Sequence, residues 1–170
     1  MKKEDKEQTQ EDKDLELHEY QDSVKVIVNT HQKINHDLCG EIEKIDVGYV
    51  EIKLVTLPEM VADNMGLIHG GFIFSAADYA AMLAVNERNV VLVACDSQFL
   101  SPTKFGDVII FKAKVRHKEG RKRNVNVTGF VEDIKIFEAE FKTVVTERHV
   151  LKLHLLEEED APVDIVNSDL

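Results

Sequence analysis

The chain has little cysteine, no long apolar run and no excess of positive charge, and each lack excludes something. Only Cys39 and Cys95 occur in 170 residues, far apart and in neither a metal nor a redox spacing, so they read as free thiols of a cytoplasmic protein. No run approaches the roughly 18 apolar residues of a membrane span. No apolar stretch follows Lys2-Lys3, so no secretory signal is expected. Net charge is −11, and no basic surface is in prospect to meet the phosphates of a nucleic acid. Internal repeats are absent. His149 and His154 stand in no metal-like arrangement, and neither a metal nor a separate cofactor is expected.

The negative charge is unevenly placed. Residues 1–22 hold nine acids and four bases, and residues 157–170 hold six acids and no base. The span 23–156 carries 17 of each sign and is neutral. The chain therefore divides into an acidic N-terminal tail over 1–22, a folded domain over 23–156 and an acidic C-terminal tail over 157–170, the tails solvated and free to meet a protein partner.

Within the folded span, Leu15, Val24, Ile27, Val28, His31 and Ile34 recur at three- and four-residue steps, which predicts an amphipathic helix over 15–36. Alternation on both sides of Gly48 predicts a hairpin between Cys39 and Thr56. Pro58, Asp63, Asn64 and Gly66 make 57–68 a loop. Phe72–Val85 is Ala-rich and apolar nearly all round, as a helix wrapped by a sheet would be. Strands follow at about 90–100, 107–118, 122–133 and 135–148. In them Ile109, Phe111, Ala113 and Val115 share one face, as do Phe137, Ala139, Phe141, Thr143 and Val145. Turn signals fall at Ser101-Pro102, Phe105-Gly106 and Glu119-Gly120. Antiparallel strands behind one buried helix make an α+β fold.

Asp78 is the single charge in that helix. A carboxylate there loses hydration worth several kcal/mol unless something compensates, which fits either a paired polar group or a functional one. Before it, Gly70 and Gly71 let a ligand approach the backbone, and the first amides of the helix have no intrahelical partner. They are suited to hold a thioester carbonyl and the oxyanion it becomes. Gly71, Ser75 and Asp78 share a helix face. Ser75 lacks the Gly-x-Ser-x-Gly context of a nucleophile and is expected to hydrogen-bond within the helix or to Asp78. A second group is basic: Lys112, Lys114, Arg116, His117, Lys118, Arg121, Lys122 and Arg123 crowd two strand ends. They suit either the phosphates of coenzyme A or a solvated hairpin that discourages edge pairing.

The run Asn64-Met65-Gly66-Leu67-Ile68-His69-Gly70-Gly71-Phe72-Ile73-Phe74-Ser75-Ala76-Ala77-Asp78 resembles the signature of the hotdog thioesterases related to the phenylacetate-pathway thioesterase. The resemblance continues through Phe99-Leu100-Ser101-Pro102-Thr103-Lys104-Phe105-Gly106-Asp107 and covers roughly residues 38–148. The chain is also similar to a bacterial hotdog protein linked to flagellar expression and virulence. The resemblance implies an antiparallel sheet wrapped around a central helix, in a homodimer or dimer of dimers joined sheet edge to sheet edge. It further implies an acyl-CoA thioesterase site at the dimer interface, with coenzyme A present only as part of the substrate. Asp78 would be general base or nucleophile, the Gly71 amide would polarise the thioester, and Asn64 and His69 would shape the pocket and orient substrate or water. The substrate-facing residues expected beside them are Gly70, Ser75, Phe99, Lys104, Arg116, Lys118 and Arg121. One departure is that Leu92-Val93-Ala94 offers no hydroxyl to position water. Residues 106–148 also resemble the acyl-CoA-binding domain of a malonyl-CoA-sensing repressor, which binds without hydrolysing. The alternative to the thioesterase is therefore a non-catalytic acyl-CoA sensor.

Overall fold

The computed structural model describes residues 26–152. Both acidic tails, residues 15–25 of the expected first helix, and His154 lie outside the described residues.

The rest of that first helix is not formed. Residues 26–35 are irregular, with His31 at φ 51°. Their backbone groups are taken by side chains from elsewhere. The Asn29 amide donates to Asn86 Oδ1 at 2.8 Å, and Asn86 Nδ2 donates to the Ile27 carbonyl at 2.8 Å. Val28 and Ile34 still pack on the core, so the three- and four-residue apolar spacing reported burial without helix. A single helical turn, α1 (His36–Cys39), follows, capped by Asn35, whose side chain accepts from the amides of Asp37 and Leu38.

Gly40 ends α1 at φ 88°, where an added Cβ would stand 2.6 Å from Ile52 Cγ2. Then come β1 (Glu41–Asp46) and β2 (Tyr49–Val55), the expected hairpin, and a loop pinned by a bridge between Val61 and Ile68. The long helix, α2 (Gly70–Val85), begins two residues earlier than its apolar run suggests. Strands β3 (Val90–Phe99), β4 (Val108–Glu119), β5 (Lys122–Val131) and β6 (Ile134–Val145) complete the chain, with a short 3-10 turn at Val150–Lys152.

All six strands form one antiparallel sheet in the order β1-β2-β4-β5-β6-β3. β4, β5 and β6 meander, whereas β3 crosses over to pair with β6 and is left as an edge. The inner face is read off the register: Phe111 opposes Gly129, which opposes Phe137. Gly129 carries no side chain because a Cβ there would be 2.8 Å from the Phe111 ring. Phe111, Phe137, Phe141, Ile52 and Leu54 are buried against α2, whose Ala76, Ala77, Ala80, Ala81 and Ala84 let helix and sheet approach closely. Truncating a ring such as Phe111 to alanine would cost about 3–5 kcal/mol. This is an α+β hotdog architecture: one apolar helix wrapped by an antiparallel sheet.

Candidate active site

The two glycines at the head of α2 each leave room for a ring. A Cβ on Gly71 would stand 2.9 Å from His69 Nε2, and one on Gly70 would stand 3.1 Å from Phe99 Cε1. His69 is the N-cap residue in extended conformation, and no side chain caps the helix start. Gly71 is exposed at the positive end of a sixteen-residue helix, while the Phe72 amide donates to the His69 carbonyl at 3.1 Å. The His69 ring meets Phe72 edge-on at 6.2 Å, and Phe99 meets Phe137 edge-on at 5.2 Å. Beside Gly70 lies a hollow of about 320 Å³ walled by Ile68, Ile73, Phe99 and Ile136.

Two loops stand over this helix start, laced together by backbone. Leu67 bridges Lys104, the Ile68 amide donates to the Thr103 carbonyl at 2.9 Å, and the Phe105 amide donates to the Gly66 carbonyl at 2.9 Å. Asn64 is exposed on the first loop and Lys104 on the second. Asp63, which the sequence marked only as a loop former, shapes the Asn64 loop. Its carboxylate accepts from the amides of Met65 at 2.9 Å and Leu67 at 3.1 Å.

Asp78 stands midway along α2. Its Oδ1 is buried with no hydrogen-bond partner, and burial pushes its pKa from 3.8 up to about 6. Ser75 does not relieve it: the Ser75 hydroxyl is 3.2 Å from the Cys39 thiol. Cys95 lies on the inner face of the sheet, close enough for the charge of Asp78 to act on its thiol. Burial raises its thiol pKa, and the charge of Asp78 raises it further. The family resemblance points to Leu92–Ala94 as the stretch that would position water. A bulge between Leu92 and Ala94 shifts the register, so that Cys95 pairs with buried Phe141 and points inward.

Gly71 and Asp78 share a face but not a place. Seven residues at 1.5 Å each separate them by about 10 Å along the axis. One thioester carbonyl does not reach both in a single protomer.

The basic residues are placed elsewhere. Lys122 pairs with Val144, the Val145 amide donates to the Arg121 carbonyl, and Val145 pairs with Val90 just past the end of α2. Arg116, Lys118 and Arg121 therefore sit at the helix-end side of the sheet. Phe99, beside Gly70, is level with Phe111 through Phe137 and Gly129, so it lies roughly 17–23 Å along the sheet from Arg116 and Lys118. The group is also divided. Lys112 and Lys114 lie across from Glu51 and Tyr49 on the outer face. Arg123 is 7% exposed, and its guanidinium donates to the carbonyls of Gly120 at 2.7 Å and Lys122 at 2.8 Å. Arg116, Lys118, Arg121 and Lys122 stay exposed. Among the described residues no group of three His, Cys, Asp or Glu gathers as a metal site, and no helix is long and apolar enough to cross a membrane.

With this geometry in view, the comparisons define the class. Residues 65–138 match the Thioesterase superfamily. The acyl-coenzyme A thioesterase PaaI of Escherichia coli (strain K12) is 32% identical over 123 residues, covering 68% of this chain and 82% of that protein. The chain belongs to the thioesterase superfamily. A methylthioribose-1-phosphate isomerase of Aquifex aeolicus (strain VF5) is 52% identical over 117 residues, 69% of this chain, but the chain spans only 26% of that protein's length. Cj0977, a sigma28-regulated virulence protein from Campylobacter jejuni, has a crystal structure that superposes with a TM-score of 0.71 at 39% identity, covering 74% of this chain and 89% of that one. The transcription factor FapR of Thermoanaerobacter sp. (strain X514) is 26% identical over 117 residues, 68% of this chain and 58% of that protein.

Proposed function

We propose that this chain hydrolyses acyl-coenzyme A thioesters at a site shared by two protomers. The observation that carries the reading is the half-buried Asp78 carboxyl, whose Oδ1 is buried without a partner and whose pKa is pushed up to about 6. A carboxylate so placed is ionised at neutral pH yet basic enough to take a proton, the condition for a general base. The Gly71 amide would donate to the thioester oxygen. Asp78 would take a proton from water as that water attacks the carbonyl carbon. Collapse of the tetrahedral intermediate breaks the C–S bond, and the thiolate of coenzyme A leaves and takes up the proton.

The separation of about 10 Å between Gly71 and Asp78 favours supplying them from different protomers. β3 suits that role, being an unpaired edge with Val93 59% exposed. Antiparallel pairing of two such edges reverses one protomer against the other. It brings the partner subunit's Asp78 toward this helix start, and the partner's basic hairpin to the same side, where phosphates of coenzyme A would meet it. Asn64 and His69 then border the pocket from the helix-start side.

A second reading is an acyl-CoA-binding module that does not hydrolyse. The missing hydroxyl at Leu92–Ala94 favours it. So does the thiol near Asp78, held protonated by burial and by that carboxylate, together with the likeness to the transcription factor FapR. Thiol release from acyl-CoAs, with binding measured on the same samples, separates the two. Turnover that disappears in Asp78→Asn supports hydrolysis, and tight binding with no thiol release supports the module.

A further inference from the structure

Beyond the helix start the molecule carries a second hollow with no role in the chemistry above. It is an open trough of about 630 Å³ between the Met65 loop and the β5–β6 turn, with hydrocarbon walls from Met65, Leu67, Pro102, Val131, Ile134 and Ile136 and with Lys104, Asp107 and Glu132 also in its lining. Ile136, Ser101, Pro102 and Thr103 also line the hollow beside Gly70, so the two are neighbours that share one wall. We infer that this trough receives the acyl chain, so that the site selects extended aliphatic acyl groups over two-carbon ones. The inference rests on the reading of the helix start as an acyl-CoA site.

Exposure and chemistry converge on that occupant. Met65 is 90% exposed and Ile134 59%, while Leu67 is half-exposed, an apolar grouping that water solvates poorly. The Met65 wall is held in place by the Asp63 carboxylate, and the Ser101–Thr103 floor by the bonds joining the two loops. The trough is therefore set up before any ligand arrives. The pantetheine arm carries two amides that need polar partners, whereas a hydrocarbon chain needs only the apolar walls that Met65 and Ile134 supply. The trough adjoins the hollow at Gly70, the residue before Gly71, so an acyl chain in it starts beside the helix start. Its volume falls within the range of small-molecule pockets and exceeds what an acetyl group would fill.

S-alkyl coenzyme A thioethers of two to twelve carbons test this without turnover, by calorimetric titration below their micelle concentrations. Affinity for the full chain should rise roughly two- to fourfold per added methylene until the trough is filled. In Ile134→Asp and Met65→Asp, both at exposed positions that leave the core intact, the ratio of ten-carbon to two-carbon affinity should fall by about tenfold or more. Val47→Asp, at a 92% exposed position in the β1–β2 turn, should keep the wild-type ratio. Length-independent binding, or a length dependence that survives both trough variants, would overturn the inference. So would variants that change the oligomer mass by light scattering while leaving the ratio alone, since the trough would then be a protein contact. Thiol release from the matching acyl-CoAs is read separately. Its absence removes the hydrolytic reading and leaves the length dependence as a test of the trough.

Discussion

Asp78, midway along α2, and the tip of the β4–β5 hairpin differ in how they hold charge. At Asp78 one carboxyl is half-buried with a buried oxygen left unpartnered, so its surroundings act on it strongly. At the hairpin tip Arg116, Lys118 and Arg121 are exposed, and solvent and salt screen them from each other and from any ligand. The first arrangement suits chemistry, where a shifted pKa does something. The second suits attraction and alignment of a polyanion, where many weak contacts suffice. Variants in the two places should therefore fail in different kinetic constants.

The largest effect is expected at Asp78. Asp78→Asn should keep the fold and the affinity for an S-alkyl coenzyme A, while kcat falls by roughly 10²–10⁴-fold. Turnover retained in that variant would move the base elsewhere and erase the contrast with the hairpin. In the wild type, kcat/KM should lose activity as pH falls through about 6, with the slope of a single proton.

The same carboxyl should weaken the fold, which distinguishes a site residue from a structural one. Its folded pKa of about 6 lies above the ordinary 3.8, so between those values the native state holds a proton that the unfolded chain has released. The stability that proton provides is fully present below about pH 4 and is lost as pH rises through about 6. Asp78→Asn should then be more stable than wild type by about 2–3 kcal/mol at pH 8, with little difference at pH 4. Urea titrations at the two pH values check this. An equal or destabilising effect at pH 8 would mean that Asp78 has a favourable partner in the native assembly.

Gly71→Ala probes the other half of the site. The added methyl would lie 2.9 Å from His69 Nε2, and the ring has to move. The helix should form as before, since alanine favours it. A displaced ring and a shifted carbonyl position should lower kcat/KM by roughly tenfold or more, with kcat affected more than KM. A unchanged kcat with a raised KM would make the glycine a matter of access only.

Much of this was legible in the sequence. The strand bounds came within about three residues, because alternation of apolar residues is imposed by burying one face of a sheet. The helix was legible because nothing else in the chain is apolar on all sides. What escaped notice came largely from bulges. A count of alternate residues keeps its phase through a bulge and the backbone does not. One at Leu92/Ala94 hid Cys95 near Asp78, and one at Val115/His117 sits within the basic run. Spacing on a helix likewise gave a shared face for Gly71, Ser75 and Asp78, but not the Cys39 thiol as the partner of Ser75. Residues 26–35 misled for a different reason: their backbone partners lie at Asn86, some 57 positions away, where no local pattern could show them.

The smallest effects belong to the hairpin, and they depend on telling its arginines apart. Arg121 is exposed, whereas Arg123 is buried two residues on and donates to the carbonyls that close the turn. Arg123→Ala should cost about 1–2 kcal/mol of stability, since two part-buried hydrogen bonds from a charged donor and the packing of its buried stem are lost. Arg121→Ala and Lys118→Ala should leave stability within about 0.5 kcal/mol. Their effect should appear in KM for acyl-CoA, raised roughly three- to tenfold at low salt and converging on wild type above about 0.5 M salt, with kcat unchanged. A salt titration of kcat/KM on the three variants decides the matter. If Arg121 and Lys118 leave KM untouched at low ionic strength, the hairpin charges serve only to keep that end of the sheet solvated, and the phosphates of coenzyme A are held by other cations.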